Sequence, residues 1–185
     1  MSKITETYAY VSANMVRMDP VVLLVHGPPR HGKSTWVKNY LVPKLCAAAG
    51  IPERLYNVTA QSEGKFFFPP YSNEPVMLID EFLAQGEKDP FVRTLNGLAN
   101  TSVYNMEGAS LEAKWQPCNV KFIICISNVA HVKLSNALQY GEEGFYNRMT
   151  PIHVEFPGYK HGVSTTPRRS DFSHLQITHE YRPGS

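Results

Sequence analysis

The sequence lacks several features that mark particular classes of protein. Its longest apolar runs, such as residues 122–126, are far shorter than the roughly 18 residues of a membrane-spanning helix. No basic segment followed by an apolar one opens the chain, as it would in a secretory signal peptide. The three cysteines include no Cys-x-x-Cys pair, which argues against a disulfide framework or a zinc finger. These absences predict a soluble protein of a reducing compartment.

An excess of charge of one sign is also missing. Lys and Arg number 18 and Asp and Glu number 16, for a net charge of +2. Charged residues make up 18% of the chain, against roughly 25% in an average soluble domain. This balance excludes a strongly basic nucleic-acid-binding protein, and an apolar share of 43% excludes global disorder. The 185 residues are enough for one medium domain with its own core.

What the sequence does contain is an alternation of buried strands and helices. Continuous apolar runs at residues 21–26, 76–79 and 120–126 are typical of strands buried on both faces of a parallel sheet. Helical spacing follows at residues 33–48, where Pro43 should bend or divide the helix, and at residues 90–99. Shorter strands are predicted at residues 54–58 and 152–156. The alternation predicts an α/β fold with a largely parallel sheet.

The most specific motif is a phosphate-binding loop. Residues 27–34 read Gly-Pro-Pro-Arg-His-Gly-Lys-Ser, which fits G-x-x-x-x-G-K-[ST] between a predicted strand and a predicted helix. The backbone N–H groups of such a loop and the positive end of the helix dipole favour an anionic phosphate. We predict that Lys33 reaches the β and γ phosphates and that Ser34 binds Mg²⁺. The predicted nucleotide-binding residues are Gly27, Pro28, Pro29, Arg30, His31, Gly32, Lys33, Ser34 and Thr35.

Polar residues that end other predicted strands are candidates for catalysis. Asp80 and Glu81 follow the second buried strand, so Asp80 is assigned to the metal and Glu81 to the attacking water. Asn128 ends the third strand and would contact the γ phosphate or fix that water, although Ser-Asn is also ordinary turn chemistry. Arg148 precedes the last predicted strand and is either an arginine finger or a solvated surface residue.

In this order the motifs resemble those of the superfamily-three helicases of small viruses, which belong to the AAA+ class of ring ATPases. The resemblance covers roughly residues 20–157 and includes an intermediate motif at residues 106–114. That motif, Met-Glu-Gly-Ala-Ser-Leu-Glu-Ala-Lys, is similar to the one of the picornavirus-like subgroup. Residues 136–149 likewise resemble the approach of that subgroup to its arginine finger.

Three positions depart from the pattern of the family. Arg30, Glu81 and Trp115 stand where the family usually has Gly, Asp and Gly. Arg30 matters most, because loop glycines often hold a positive φ and a cationic side chain there is expected to alter nucleotide affinity. Neither the zinc element that follows the core of some picornaviral members nor their preceding amphipathic membrane helix is visible in the sequence.

The resemblance implies an AAA+-type P-loop ATPase that uses ATP and Mg²⁺ and couples hydrolysis to single-stranded RNA, with DNA not excluded. Such proteins form homo-oligomeric rings, commonly hexamers, in which nucleotide lies between subunits and Arg148 would come from the neighbour. Lys114 would contact nucleic acid in the pore, or sense nucleotide across the subunit interface, or be an exposed turn lysine. The implied location is the host cytoplasm, at membrane-associated viral replication complexes with other viral replication proteins. Membrane contact would occur only through regions outside this segment.

Two other functions stay open at this point. One is the helicase domain of a replication initiator from a small DNA virus, and the other is a nucleotide-switched assembly or packaging module. The expected division of the chain is a lead-in at residues 1–19, an ATPase core at 20–157 and a loosely packed tail at 158–185. In that tail Arg168 and Arg169 are expected to be no more than solvated charge.

Overall fold

The computed structural model describes residues 19–58, 68–99, 104–106, 117–134 and 142–179. The strands are β1 (Val21–His26), β2 (Leu55–Val58), β3 (Val76–Ile79), β4 (Phe122–Ser127), β5 (Met149–Glu155), β6 (Tyr159–Lys160), β7 (Val163–Ser164) and β8 (Gln176–His179). The α-helices are α1 (Lys33–Trp36), α2 (Val42–Ala49), α3 (Phe91–Leu98) and α4 (Glu142–Tyr146). A short 3₁₀-helix spans Gly86–Lys88.

Six strands form the central sheet in the order β2-β3-β4-β1-β5-β8. The first five run parallel to their neighbours, and β8 is antiparallel to β5. The predicted α/β fold with a largely parallel sheet is therefore confirmed. Because the strands are parallel, the residues that follow β1, β3 and β4 lie together beyond the carboxyl ends of the strands.

Helices cover both faces of the sheet, which explains the continuous apolar runs. In β1, Val22 and Leu24 pack on one face, with α3, while Leu23 and Val25 pack on the other, with α1 and α2. Successive side chains of a strand point to opposite faces of the sheet. A strand that is covered on both faces is therefore apolar at nearly every position. The same alternation holds in β3 and β4.

The helix that follows the phosphate loop is divided, as the presence of Pro43 led us to expect. A π-helical turn, Val37–Leu41, separates α1 from α2, and Pro43 lies in the first turn of α2. Proline has no N–H to donate to a preceding carbonyl, and its ring is accepted only where that bond is missing. The wider π turn places Pro43 at such a position, and the helical segment continues to Gly50, whose φ of 64° ends it.

The C-terminal segment is more ordered than its composition predicts. The chain forms a two-stranded ribbon from β6 and β7 and then returns to add β8 to the edge of the central sheet. The segment up to residue 179 thus forms strands, although none of its residues from 160 to 179 is buried. All four residues of β8 are exposed, so this strand is held by backbone hydrogen bonds to the open edge of β5 and carries no apolar pattern that would reveal it.

None of the helices in the described part of the chain is long and apolar enough to cross a membrane.

Candidate active site

Two glycines shape the loop between β1 and α1. Gly32 directly precedes α1 with a φ of 81°, a left-handed conformation that glycine adopts without steric cost. At Gly27 a side chain is impossible for a different reason, since a Cβ there would collide with the carbonyl oxygen of Val154 on β5. The two glycines therefore let the backbone turn tightly from the end of β1 into the start of α1.

Arg30 also lies in the left-handed region, with a φ of 64°. For a residue with a Cβ this conformation costs about 1–2 kcal/mol, which explains why the resembling family usually has glycine here. The carbonyl oxygen of Arg30 accepts a hydrogen bond of 2.7 Å from Nη2 of Arg168. A contact from the C-terminal segment thus helps to hold the strained loop.

Lys33 is buried at the centre of the loop. Its Nζ donates to the carbonyl oxygens of Gly27 (2.9 Å) and Pro28 (2.7 Å) and to Oδ1 of Asn128 (2.9 Å). Burial lowers the pKa of Lys33, and the negative charge of Asp80 opposes that change. An ammonium group has three N–H donors, so a phosphate that approaches Lys33 must replace one of these acceptors.

Ser34 and Asp80 face each other across the same space. Ser34 Oγ lies 3.5 Å from Asp80 Oδ2, and Asp80 Oδ1 accepts a hydrogen bond from the backbone N–H of Glu81 at 2.9 Å. A hydroxyl and a carboxylate are the hard oxygen donors that Mg²⁺ takes from protein, with water and phosphate oxygens completing its shell. The two predicted metal ligands therefore fit that ion.

An open cleft of about 590 Å³ joins most of the predicted residues, and this volume lies within the usual range for small-molecule sites. Nine predicted residues line the cleft: Pro29, Arg30, Gly32, Lys33, Ser34, Thr35, Asp80, Glu81 and Asn128. The other three loop residues, Gly27, Pro28 and His31, do not line it. Gly27 and Pro28 present their carbonyl oxygens to Lys33.

Asp89, which sequence analysis missed, fixes the turn that carries Asp80 and Glu81. Its buried carboxylate accepts hydrogen bonds from the backbone N–H groups of Leu83 (2.8 Å) and Phe91 (2.9 Å). Burial raises the pKa of Asp89, while these two hydrogen bonds act in the opposite direction. Glu81 and Leu83 both have a positive φ, of 55° and 63°, so this turn depends on such support.

Replacing Asp89 by alanine is expected to destabilise the fold by about 2 kcal/mol, because two backbone donors lose their acceptor in a buried place. For a domain of this size the melting temperature should fall by roughly 4–8 °C, which thermal unfolding would measure. Asp89→Asn is the matched control, because it keeps one acceptor oxygen and should cost less. An unchanged melting temperature for Asp89→Ala would contradict this role.

His31 ties the phosphate loop to the end of β5. Its Nδ1 accepts a hydrogen bond of 2.8 Å from the backbone N–H of Phe156, so this nitrogen carries no proton. Burial lowers the pKa of His31, and Lys33 and Arg168 act in the same direction against Glu155. The ring is therefore neutral when it holds this bond.

The stability that His31 contributes should depend on pH. Its pKa is lower in the folded state than in the unfolded chain, so the unfolded chain binds the proton more readily. The contribution is complete above the unfolded value of about 6.5 and is lost as the pH falls below it towards the folded value. Thermal unfolding between neutral and mildly acidic pH would test this. His31→Gln retains an acceptor but does not titrate, so it should flatten the curve, and parallel curves would refute the assignment.

Arg168 and Tyr159 line the cleft as well, although sequence analysis placed both in a tail. Arg168 was expected to be solvated charge, and this expectation is wrong. Its guanidinium contacts the phosphate loop and lies over the rings of Phe156 and Tyr159, at 5.3 and 5.8 Å from their centroids. Nothing in the sequence near Arg168 signals this contact, which joins residues 138 positions apart.

Arg148 is not brought into the cleft. It directly precedes β5, whose first residue, Met149, pairs with Val22 near the start of β1, whereas the phosphate loop leaves β1 after His26. Four residues of strand separate these two ends by roughly 13 Å. Arg148 Nη1 donates instead to Oδ1 (2.9 Å) and the carbonyl oxygen (3.3 Å) of Asn96 on α3. Lys114 and most of the intermediate motif, residues 107–114, lie outside the described residues.

Comparison with known proteins decides the family. A family model described as RNA helicase matches residues 23–129, which is more than half of the chain. The chain belongs to the RNA helicase family. The matched range runs from within β1 to the residue after Asn128, so it contains the phosphate loop, Asp80 and Glu81, and the amide that contacts Lys33.

Relatives of this RNA helicase domain include the genome polyproteins of avian encephalomyelitis virus strains Van Reokel, L2Z and Calnek vaccine. Each is 31% identical over 119 residues, which cover 63% of this chain and 5% of the polyprotein. The matched stretch is thus a small part of those proteins. The predicted likeness to the superfamily-three helicases of small viruses is confirmed.

Proposed function

We propose that this domain hydrolyses ATP beside the phosphate loop and couples hydrolysis to the binding or remodelling of single-stranded RNA during viral genome replication. The observation that carries the proposal is the meeting of Lys33, Asp80 and Asn128 in one cleft. These residues follow three adjacent parallel strands, β1, β3 and β4, and Lys33 contacts Asn128 directly. A buried cation, a carboxylate and an amide that follow three adjacent strands suit the binding of a nucleoside triphosphate.

Each side chain has a role that its position supports. Lys33 would neutralise charge on the β and γ phosphates, and the backbone of the loop would hold the phosphate chain. Glu81, which is exposed at the cleft beside Asp80, would take a proton from the attacking water. When nucleotide binds, Lys33 would turn from Asn128 to the phosphates. The amide of Asn128 would then be free to hold the γ phosphate or the attacking water.

Ser34 and Asp80 are the residues that would hold Mg²⁺, as their facing oxygens allow. The ion would supply positive charge to the phosphate oxygens when bound. Asp80 would keep its orientation through the hydrogen bond from the backbone N–H of Glu81.

A ring, most simply a homohexamer of the AAA+ class, is part of the proposal. Arg148 is exposed and lies at the end of the sheet opposite the phosphate loop, so it would serve the site of a neighbouring subunit. In such a ring each subunit would contribute its pore-facing cations, with Lys114 proposed as one of them. Their number would grow with the number of subunits, so a charge of +2 per chain is compatible with strand binding. The proposed location is the host cytoplasm, at membrane-associated replication complexes with other viral replication proteins.

ATP hydrolysis, measured at increasing protein concentration with and without single-stranded RNA, tests this function. We expect turnover per chain to rise with concentration as subunits assemble and to respond to RNA. Single-stranded DNA in place of RNA is the matched comparison. Nucleotide binding without hydrolysis at any concentration would favour an assembly module, and preference for DNA would favour an initiator of a DNA virus.

A further inference from the structure

We propose that Arg168 is a phosphate-binding residue of the nucleotide site, supplied by the C-terminal segment of the same chain. This inference rests on the proposed function, since it concerns the nucleotide that the phosphate loop would hold. The guanidinium would form a second cationic contact in the cleft that Lys33 also lines.

The guanidinium of Arg168 lies against the phosphate loop. Arg168 Nη2 donates to the carbonyl oxygen of Arg30 at 2.7 Å. Arg168 Nη1 lies 3.1 Å from the point that a Cβ on Gly32 would occupy. Gly32 is the glycine whose missing side chain opens the loop backbone to a phosphate. Arg168 therefore covers the loop at the place where an anion would bind.

Aromatic rings hold this side chain in place. The guanidinium lies over Phe156 and Tyr159, an arrangement that stabilises a cation through the negative faces of the rings. Phe156 is fully buried, and its backbone N–H is bound to His31 of the loop. The two rings that contact Arg168 are thus linked to the phosphate loop through Phe156. The side chain of Arg168 is therefore preorganised for a ligand.

The hydrogen bonds of Arg168 leave capacity for a ligand. A guanidinium has five N–H donors, and within the described part of the chain Arg168 donates a hydrogen bond to the neutral carbonyl of Arg30. Among those residues no carboxylate lies within ion-pair distance of Arg168. A planar fork of donors matches phosphate oxygens, so the phosphate chain is the part of a nucleotide that it would contact.

Nucleotide affinity of the full chain tests the assignment. Arg168→Ala should weaken binding of ATP, ADP and tripolyphosphate by about tenfold or more, because a charge-assisted hydrogen bond is lost. Tripolyphosphate has no base or sugar, so it isolates phosphate contacts. Arg169→Ala is the matched control, one residue away in the same exposed segment, and should change affinity by less than about twofold. If Arg168→Ala folds poorly, Arg168→Gln takes its place in the same affinity measurements.

The outcomes separate the two proposals. Tight binding by the wild type with equal affinity in Arg168→Ala or Arg168→Gln would overturn the role of Arg168, even if the melting temperature fell, since that result means a structural contact only. An unchanged affinity for tripolyphosphate alone would overturn the phosphate contact. Absence of nucleotide binding by the wild type would instead contradict the proposed function, and Arg168 with it.

Discussion

Lys33→Ala is expected to lower ATP turnover by about 100-fold or more, the loss typical when one preorganised stabilising donor is removed. Lys33 supplies the buried positive charge of the phosphate loop, and its Nζ is held 2.9 Å from Asn128 where the γ phosphate would lie. Both the charge and the contact disappear in the variant. Turnover at saturating ATP, measured together with nucleotide affinity, would show the effect.

Lys38→Ala is the matched control for this variant. Lys38 lies on the same helical segment but is exposed and is not among the residues that line the cleft, so its loss should leave turnover nearly unchanged. The melting temperature of Lys33→Ala must also be measured, because Gly27, Pro28 and Asn128 lose their donor. A folded Lys33→Ala protein with wild-type turnover would contradict the assignment of the loop.

The residues of the cleft that are close to a motif could be predicted from the sequence. A parallel strand covered on both faces is a continuous apolar run, and its end is marked where polar residues begin. This is why β1, β3 and β4 and the residues that follow them, Lys33, Asp80 and Asn128, could be placed together before their distances were known. The distances themselves follow from the strand order, which the apolar runs do not encode.

The residues that support the cleft could not be predicted in this way. Asp89 stands before a helix, where an acidic residue is ordinary, and its bond to Leu83 depends on a turn with positive φ values. His31 and Arg168 act on partners 125 and 138 positions away. Periodicity and turn chemistry describe neighbours in sequence, so contacts over such distances leave no local signal.

Arg148→Ala is expected to lower turnover in the assembled ring by about 1,000-fold, the effect of removing an arginine finger, while nucleotide affinity changes little. Asn96→Ala is the matched control, since it removes the side-chain partner of Arg148 and leaves the guanidinium present. If Arg148 only fastened α3, Asn96→Ala would also lower turnover, because it removes the shorter of the two hydrogen bonds from Arg148 and leaves only the one to the backbone carbonyl. Full turnover by Arg148→Ala in an assembled ring would exclude the finger.

Mixing two inactive variants tests whether the sites are shared. In a ring formed from equal amounts of Lys33→Ala and Arg148→Ala chains, a site works when its loop comes from an Arg148→Ala chain and its finger from a Lys33→Ala chain. For random assembly about one half of one half, or roughly a quarter, of the sites meet this condition in a ring of head-to-tail contacts. Independent sites should then recover about a quarter of wild-type turnover. If Arg148 served its own loop, the mixture would stay inactive, because no chain would contain both groups.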